Sequence, residues 1–384
     1  MEAYFDNAAT TRCSDGAREV MVRALSEDYG NPSSLHQKGM EGENYIKTAA
    51  KHIGRTLKAS ESELIFTSGG TESNNLAILG AAMANKRAGM HLITTKIEHP
   101  AVAAPMKYLE GQGFSVTWLD VNKEGQIFLE QLEEAITPET ILASIMYVNN
   151  EIGAVEPIAE AGAIIKAKNP GTLFHVDAIQ AYGKYKVYPK NLGIDMMSVS
   201  GHKIHGPKGT GFLYVKERTK LKPAIYGGGQ QRGMRSGTEN VPGIAGMGQA
   251  AKEAYEQFSQ KQEHMYQLKE AFLAGIAGMG WAHVNGPAGR EGAPHIISLS
   301  VEGVRSEVLL HALEERQVYV SAGSACSSNK PAPSSTLQAI HAGEASLGST
   351  IRISFSPGNT LEEVGYCLDT LKGLVPMLQK FTRH

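Results

Sequence analysis

The chain is poor in the features that mark secreted and membrane proteins. Its 384 residues include only three cysteines, Cys13, Cys326 and Cys367, and such a sparse, odd set argues against a disulfide framework. No apolar run approaches the ~20 residues that span a bilayer, and the N-terminus lacks the basic start and apolar stretch of a signal peptide. We therefore expect a cytoplasmic protein that does not bind a membrane.

An excess of charge of one sign is also lacking. The 37 Lys and Arg residues nearly balance the 39 Asp and Glu residues, which gives a formal net charge of −2. Such a balance provides no electrostatic footprint for nucleic acid or an anionic membrane. The hydrophobic fraction of 42% and the charged fraction of 20% are those of an ordinary globular protein. We expect no direct binding of nucleic acid.

The order of apolar runs predicts an α/β protein with two domains. Short apolar runs alternate with longer amphipathic ones in the first part of the chain, which predicts strands at 63–67, 91–95, 115–119, 141–147 and 173–176 and helices at 71–83, 129–136 and 158–168. A hairpin of 196–199 with 211–215 follows. A polar helix over 246–275 marks the junction, and the remainder predicts strands at 296–301 and 351–354 and helices at 306–316 and 361–381. We predict a large domain at 16–255 and a small α+β domain from 1–15 and 256–384.

The segment 198–208 contains the residues that first suggest catalysis. It holds Lys203 and Lys208 together with two histidines and two serines. A partly buried lysine tends to lose its proton, and a neutral amine can attack an aldehyde, so a lysine here can hold a carbonyl cofactor covalently. Asp177 ends a strand-like run upstream, and a carboxylate for a pyridinium nitrogen is the other signature of pyridoxal phosphate (PLP) enzymes. The pairing favours this interpretation over that of solvated loop lysines.

Two glycine-rich segments are candidate anion sites. Gly70 and Thr71 lie where a predicted strand turns into a helix, and a helix N-terminus offers unpaired N–H groups to a phosphate. An ordinary capped helix start is the alternative. The basic segment 227–240 is either a second anion-binding loop or a flexible surface loop.

Four single residues complete the candidate set. His99, at a predicted helix start, could stack on an aromatic cofactor or transfer protons, or it could be structural. Asn150 either shapes a turn or touches a ligand at the end of a strand. Arg352 lies in an apolar strand, and a buried arginine demands an anion such as a substrate carboxylate. Cys326, among Ser, Gly and Ala, is better placed to react than the other two cysteines.

Together these segments resemble the cysteine desulfurases of the NifS/IscS-like class, which are fold-type I PLP enzymes. The resemblance runs nearly end to end, through the segments 4–11, 30–36, 98–100, 149–153, 175–180, 198–208, 235–242 and 324–328. It implies an α/β fold of the aspartate-aminotransferase type, with PLP as cofactor, L-cysteine as substrate and a homodimer as the assembly. No residue is assigned to a metal.

The resemblance implies a role for each residue around the cofactor ring. Lys203 would bind the cofactor aldehyde covalently and later move protons. His99 would stack on the ring and assist acid–base steps. Asp177 would keep the ring nitrogen protonated, and Gln180 would hydrogen-bond the ring oxygen.

The remaining roles concern the phosphate, the substrate and the sulfur. The phosphate would be bound by Gly70, Thr71, Ser200 and His202, and by Thr238 of the second subunit. Asn150 and Arg352 would hold the substrate carboxylate. Cys326 would take the sulfur as a persulfide, leaving L-alanine, and would pass it to an acceptor protein.

The chain departs from the family pattern at two places. Gly70 stands where many relatives have alanine, a change predicted to be harmless or slightly loosening. The run after Ser328 differs from the type common in members that serve iron–sulfur cluster assembly. The resemblance therefore favours a tRNA-thiolation enzyme over a cluster scaffold protein as sulfur acceptor. A selenocysteine lyase, a fold-type I aminotransferase and a sulfur-carrier protein that retains the fold are the alternatives.

Overall fold

The computed structural model describes residues 1–322 and 334–381. Its strands are β1 (Ala3–Tyr4), β2 (Leu64–Thr67), β3 (His91–Thr95), β4 (Ser115–Leu119), β5 (Thr140–Met146), β6 (Leu173–Asp177), β7 (Met196–Ser200), β8 (Gly211–Val215), β9 (Ala282–Asn285), β10 (Ile296–Val301), β11 (Val318–Tyr319), β12 (Ser321–Ala322) and β13 (Thr350–Ser354). Its helices are α1 (Asp15–Ser26), α2 (Gln37–Leu57), α3 (Gly70–Asn85), α4 (Pro100–Gly111), α5 (Leu129–Ala135), α6 (Ile158–Lys168), α7 (Val241–Tyr255), α8 (Phe258–Ile276), α9 (Ser306–Glu314), α10 (Ser335–Ala339), α11 (Glu344–Leu347) and α12 (Leu361–Gln379).

A seven-stranded mixed sheet forms the centre of the larger part of the chain. Its order is β2-β8-β7-β6-β5-β3-β4, and β8 alone runs antiparallel to its neighbours. Strands β5 to β8 are buried almost throughout, as expected for a sheet covered by helices on both faces. The predicted α/β fold class is confirmed, and so is the pairing of β7 with β8.

The sequence interpretation of 246–275 as one helix was wrong. The structure has two helices, and the break between α7 and α8 falls at Glu256 and Gln257. Gln257 has a φ of 51°, in the left-handed region that turns the chain. The rings of Tyr255 and Phe258 stack across the break, 5.3 Å between centroids. Apolar residues therefore continue through the turn, and their spacing alone does not reveal it.

A second, smaller sheet lies in the C-terminal part of the chain. Its antiparallel order is β12-β13-β10-β9, and the N-terminal strand β1 pairs in parallel with β11 beside it. Ala3 and Phe5 belong to the same apolar cluster as residues of α8, β10 and α12. The N-terminus is thus built into the C-terminal part of the fold. Across the described residues, no helix is long and apolar enough to cross a membrane.

Candidate active site

A cavity of about 260 Å³ opens where strands β5, β6 and β7 end. In α/β proteins the carboxyl ends of parallel strands are the usual place for a ligand. Ten of the predicted site residues line the cavity, namely Gly70, Thr71, His99, Asn150, Asp177, Gln180, Ser200, His202, Lys203 and Arg352. Thr238 is exposed and does not line it. Cys326 lies outside the described residues.

Asp177, the last residue of β6, is a buried carboxylate at the base of the cavity. Asn74 Nδ2 donates to its Oδ2 at 2.7 Å, and the backbone N–H of Ile179 donates to its Oδ1 at 3.0 Å. Burial raises the pKa of the Asp177 carboxyl, although His99 and Lys203 oppose that effect. A buried carboxylate in this position favours a ligand with a cationic group close by.

Lys203 lies in a short helical turn, Gly201–Lys203, that follows β7. Its Nζ donates to the backbone carbonyl oxygens of Ala8 and Ala9, 2.6 Å from each. The amine is therefore held at the cavity wall by the N-terminal segment. That position is suitable for a residue that must react with a cofactor and later carry protons.

The start of α3 forms the anion-binding end of the cavity. Gly69 precedes the helix with a φ of 152°, a conformation that favours glycine. No side chain in the described part of the chain caps this helix start, so its N–H groups and positive dipole end are available to an anion. Ser200 and His202 lie beside it in the cavity wall. Burial and Lys203 lower the pKa of His202 to about 4.

Gly70 is matched to the side chain of Ile179. A Cβ at Gly70 would lie 2.2 Å from Cδ1 of Ile179 and 3.0 Å from its Cγ1. Ile179 thus fills the space that an alanine at position 70 would need. The sequence predicts that glycine at this position is harmless or slightly loosening, and the packing of Ile179 into the space favours the harmless alternative.

His99 is the residue that caps α4. Its Nδ1 accepts a hydrogen bond from the N–H of Ala101 at 3.1 Å. Burial lowers the pKa of the imidazole, with Asp177 acting in the opposite direction. A neutral ring with Nδ1 as acceptor carries its proton on Nε2. His99 can therefore exchange one proton at Nε2 while the helix holds its ring.

Arg352 is a buried cation whose charge is only partly used. Its Nη2 donates to Oδ1 of Asp6 at 3.0 Å, and its Nη1 donates to the carbonyl of Asn150 at 2.8 Å. Among the residues described, its buried Nε has no hydrogen-bond partner. A buried guanidinium with a spare donor is suited to a carboxylate. The predicted role for Arg352 is chemically consistent with this geometry.

The two described cysteines have raised thiol pKa values. Burial raises the pKa of Cys367, on α12, to about 12. Burial and the nearby Glu253 raise the pKa of Cys13. Both thiols are therefore poor nucleophiles near neutral pH, because the thiolate is the reactive form.

Sequence reasoning missed several residues that shape the cavity. Asp6 pairs with Arg352, Asn74 holds Asp177, and the carbonyls of Ala8 and Ala9 accept from Lys203. Asp6 and the two alanines lie in the segment 4–11, to which the family resemblance assigns no role. Every residue has a backbone carbonyl, so the sequence does not show which carbonyls accept from a lysine. Only the folded structure identifies them.

Comparison with known proteins gives consistent matches along the whole chain. The family model for aminotransferase class-V matches residues 3–366. A cysteine desulfurase IscS from Dictyoglomus turgidum is 41% identical over 384 residues, covering 100% of this chain and 97% of the relative. A solved NifS-like protein is 38% identical with a TM-score of 0.93, covering 98% of this chain and 100% of that one. A structure of SspA in complex with cysteine is 38% identical with a TM-score of 0.81, covering 93% and 100%.

The residues of the cavity fit the cofactor of these enzymes. Asp177 is a buried carboxylate for a protonated ring nitrogen, Lys203 is an amine for an aldehyde, and the uncapped start of α3 is a site for a phosphate. The cavity and the full-length similarity point to the same conclusion: the chain belongs to the aminotransferase class-V family, and within it to the PLP-dependent cysteine desulfurases of the IscS/NifS type.

Proposed function

We propose that this protein converts L-cysteine to L-alanine and leaves the sulfur as a persulfide on Cys326, for transfer to an acceptor protein. The observation that carries the proposal is the meeting of a lysine, a buried aspartate and a buried arginine in one cavity. Lys203 and Asp177 suit the cofactor, and Arg352 suits an amino-acid carboxylate. The bound PLP supplies an aldehyde for covalent attachment and a protonated ring that draws electrons from the substrate.

Asp177 keeps the ring nitrogen protonated. Its two hydrogen bonds, from Asn74 and from the backbone of Ile179, fix the direction of the carboxylate. Burial makes an isolated carboxylate there unfavourable, and a cationic partner removes that penalty. The charge of Asp177 therefore favours the protonated form of the ring.

Lys203 and His99 are the residues that move protons. Lys203 would carry protons at its Nζ, which the carbonyl oxygens of Ala8 and Ala9 hold at the cavity wall. His99 contributes through Nε2, because Nδ1 is engaged with the backbone of α4. Both groups lie in the cavity wall, within the space that the substrate enters.

Arg352 and Asn150 orient the substrate. The spare Nε donor of Arg352 is directed to the carboxylate, and Asp6 and the Asn150 carbonyl hold the other end of the guanidinium. Holding the carboxylate restricts how the substrate can rotate, so the bond to be broken is presented in one orientation.

Cys326 takes the sulfur. Its thiolate attacks the substrate sulfur, the carbon–sulfur bond breaks, and the electron pair of that bond stays with the carbon skeleton. A proton from the cavity completes alanine, and the new sulfur–sulfur bond is the persulfide. The raised pKa values of Cys13 and Cys367 support Cys326 as the reacting thiol.

A homodimer completes the phosphate site in this proposal. Thr238 is exposed on a loop that is tied to its own subunit by the ion pair of Arg235 with Glu72, 2.9 Å apart. Leu35 and Tyr226 are exposed large apolar residues, with exposed fractions of 100% and 77%. In this proposal the second subunit covers these two side chains. A second subunit would bring Thr238 to the phosphate of the first.

We also propose the domain division and the acceptor. The chain divides into a large domain of 16–255 and a small domain of 1–15 with 256–384. The clustering of Ala3 and Phe5 with the C-terminal core supports this division. The acceptor is a cytoplasmic sulfur-accepting protein. Between the two candidates, we favour a tRNA-thiolation enzyme over an iron–sulfur scaffold on the ground of the segment that follows Ser328.

The experiment is incubation of the purified protein with L-cysteine and a thiol reductant, with sulfide and alanine measured in the same sample. We expect the two products in equal amounts and a yellow protein whose visible absorption is removed by borohydride. Transfer of the amino group, seen as a keto acid formed without sulfide, would establish an aminotransferase instead. A colourless protein without turnover would indicate a sulfur carrier. Parallel assays with selenocysteine test the lyase alternative.

A further inference from the structure

The carbonyl oxygen of Ala8 fixes the direction of the Gln180 amide. Gln180 Nε2 lies 2.9 Å from this oxygen, which also accepts from Lys203. A carbonyl oxygen can only accept hydrogen bonds, so the Gln180 atom that faces it must be the nitrogen. A flipped amide would set two carbonyl oxygens against each other at that distance.

The oxygen of the same amide faces His295. His295 Nε2 lies 3.2 Å from Oε1 of Gln180. Because an amide oxygen can only accept, Nε2 must carry a proton. The backbone of Ala8 thereby determines, through Gln180, which nitrogen of His295 is protonated.

His295 has only that one proton. Its exposed fraction is 1%, and burial lowers the pKa of its imidazole well below the usual range, in the same direction as nearby Lys184, Lys269, Arg352 and Lys203. Among the described residues Nδ1 is buried without a hydrogen-bond partner. Among the described residues, the hydrogen bond from Nε2 to Oε1 of Gln180 is therefore the only polar contact of the ring. At this contact the ring can only donate.

We propose that His295 is a positioning residue that holds the Gln180 amide with its nitrogen toward the cavity. Gln180 then uses one N–H on Ala8 and offers the other to the ligand. The inference rests on the proposed function, in which Gln180 faces the ring oxygen of PLP. It adds that the ligand atom at this point must be an acceptor, which a deprotonated ring oxygen is.

The first test reads the tautomer of His295 in the apoprotein, so it does not depend on turnover or on cofactor. NMR spectra of apoprotein with isotope-labelled histidine distinguish protonation at Nε2 from protonation at Nδ1. His295→Gln, which retains an amide donor, identifies the resonance by its disappearance. We expect a neutral ring protonated at Nε2 near neutral pH. A proton on Nδ1, or a charged ring, overturns the proposal.

The second test measures cofactor binding by the apoprotein. His295→Leu should weaken PLP binding about three- to tenfold, the range for one hydrogen bond, and should shift the visible absorption maximum of the bound cofactor. His295→Gln should retain most of the affinity. The variant His91→Leu is the control for loss of a histidine, because His91 bonds Thr117 on the edge strand β4 and Thr140 at the start of β5, the end of that strand away from the cavity.

A PLP analogue without the ring oxygen separates the role of His295 from a general loss of structure. His295→Leu should bind this analogue as tightly as the parent does, and His295→Leu with Gln180→Leu should bind PLP no worse than Gln180→Leu alone. The proposal is wrong if His295→Leu weakens the binding of PLP and of the analogue equally. It is also wrong if the losses of PLP affinity from His295→Leu and Gln180→Leu add in the double variant. If the parent does not bind PLP, the proposed function fails, whereas the tautomer test still decides the contact of His295 with Gln180.

Discussion

Asp6 and Arg352, separated by 346 positions in the chain, form an ion pair in which Oδ1 lies 3.0 Å from Nη2. The arginine side chain is only 5% exposed, so this carboxylate is its main electrostatic compensation. Burial raises the pKa of Asp6, and Arg352 counteracts the rise. The N-terminal segment is therefore part of the proposed substrate site, although it is far from every other site residue in sequence.

Removal of this carboxylate is expected to affect both stability and substrate binding. Asp6→Ala should lower the free energy of unfolding by about 3 kcal/mol, because it leaves a buried guanidinium unpaired. It should also raise KM for L-cysteine severalfold, since Arg352 loses one of its two anchors. Asp6→Asn, which keeps an acceptor, should show smaller effects. Urea denaturation and steady-state kinetics check this, and an unchanged KM in Asp6→Ala would contradict it.

Replacement of Lys203, the proposed attachment residue, should abolish turnover without unfolding the protein. Lys203→Ala removes the amine that is proposed to bind the cofactor but leaves the carbonyls of Ala8 and Ala9 at the surface of the cavity. Sulfide release should fall below detection, while circular dichroism stays that of the parent. Lys208→Ala, an exposed lysine of the same segment, is the control and should be fully active. Sulfide production by Lys203→Ala at the parental rate would refute the assignment.

A methyl group at position 70 should be harmful, and a smaller residue at 179 should correct the harm. Gly70→Ala places a Cβ 2.2 Å from Cδ1 of Ile179, and overpacking of this kind costs about 1–3 kcal/mol. PLP binding and thermal stability should both fall. In Gly70→Ala with Ile179→Ala, both should recover relative to Gly70→Ala. Two independent, additive losses would show that the residues are not matched.

The Cys326→Ser variant should bind L-cysteine but release no sulfide. A hydroxyl is too weak a nucleophile at neutral pH to take sulfur, and the residues of the cavity are unchanged. Mass spectrometry after exposure to cysteine should find added sulfur on Cys326 of the parent and on no other cysteine. Cys13→Ser is the control and should retain activity. Persulfide in Cys326→Ser would move the reacting thiol elsewhere.

Glu156 should make the protein less stable as the pH rises. Burial raises the pKa of its carboxyl from 4.5 to about 8, and among the described residues its Oε1 has no hydrogen-bond partner. The folded protein therefore binds a proton that the unfolded chain releases, so the contribution is fully present below 4.5 and is lost as the pH rises through about 8.

The glutamine variant isolates this effect. Denaturation curves should show that the free energy of unfolding of Glu156→Gln, relative to that of the parent, increases with pH, because the variant has no proton to lose. Glu134→Gln, at an exposed position, should follow the parent at every pH. A stability difference that is independent of pH would contradict the assigned protonation of Glu156.

Sequence patterns predicted the central sheet well. The bounds of β3, β4 and α6 agree with prediction to the residue, because each is a short apolar or amphipathic run between clear turn signals. Helices α1 and α2 were not predicted. They are rich in charged and small residues, and their buried face consists mainly of alanine and glycine, so few strongly apolar residues mark them in the sequence.

Side chains of the candidate site were predictable, but their supports were not. Lys203, Asp177 and Arg352 are charged residues within or close to apolar runs, and that placement indicates a functional role. Folding alone brings Asp6 to Arg352 and His295 to Gln180, since these partners lie 346 and 115 positions apart in the chain. The fold alone shows which backbone carbonyl meets which amine, as at Ala8.

The pairing of β1 with β11 and of Asp6 with Arg352 has a consequence for biosynthesis. A ribosome makes the N-terminal residues first, and the partner of Asp6 follows 346 positions later. Until those partners emerge, the first strand has no edge to join and Asp6 has no counter-ion. The central sheet can form before these N-terminal contacts do, so the proposed substrate pocket is completed only after β11 and Arg352 have been made, and such distant contacts slow its completion.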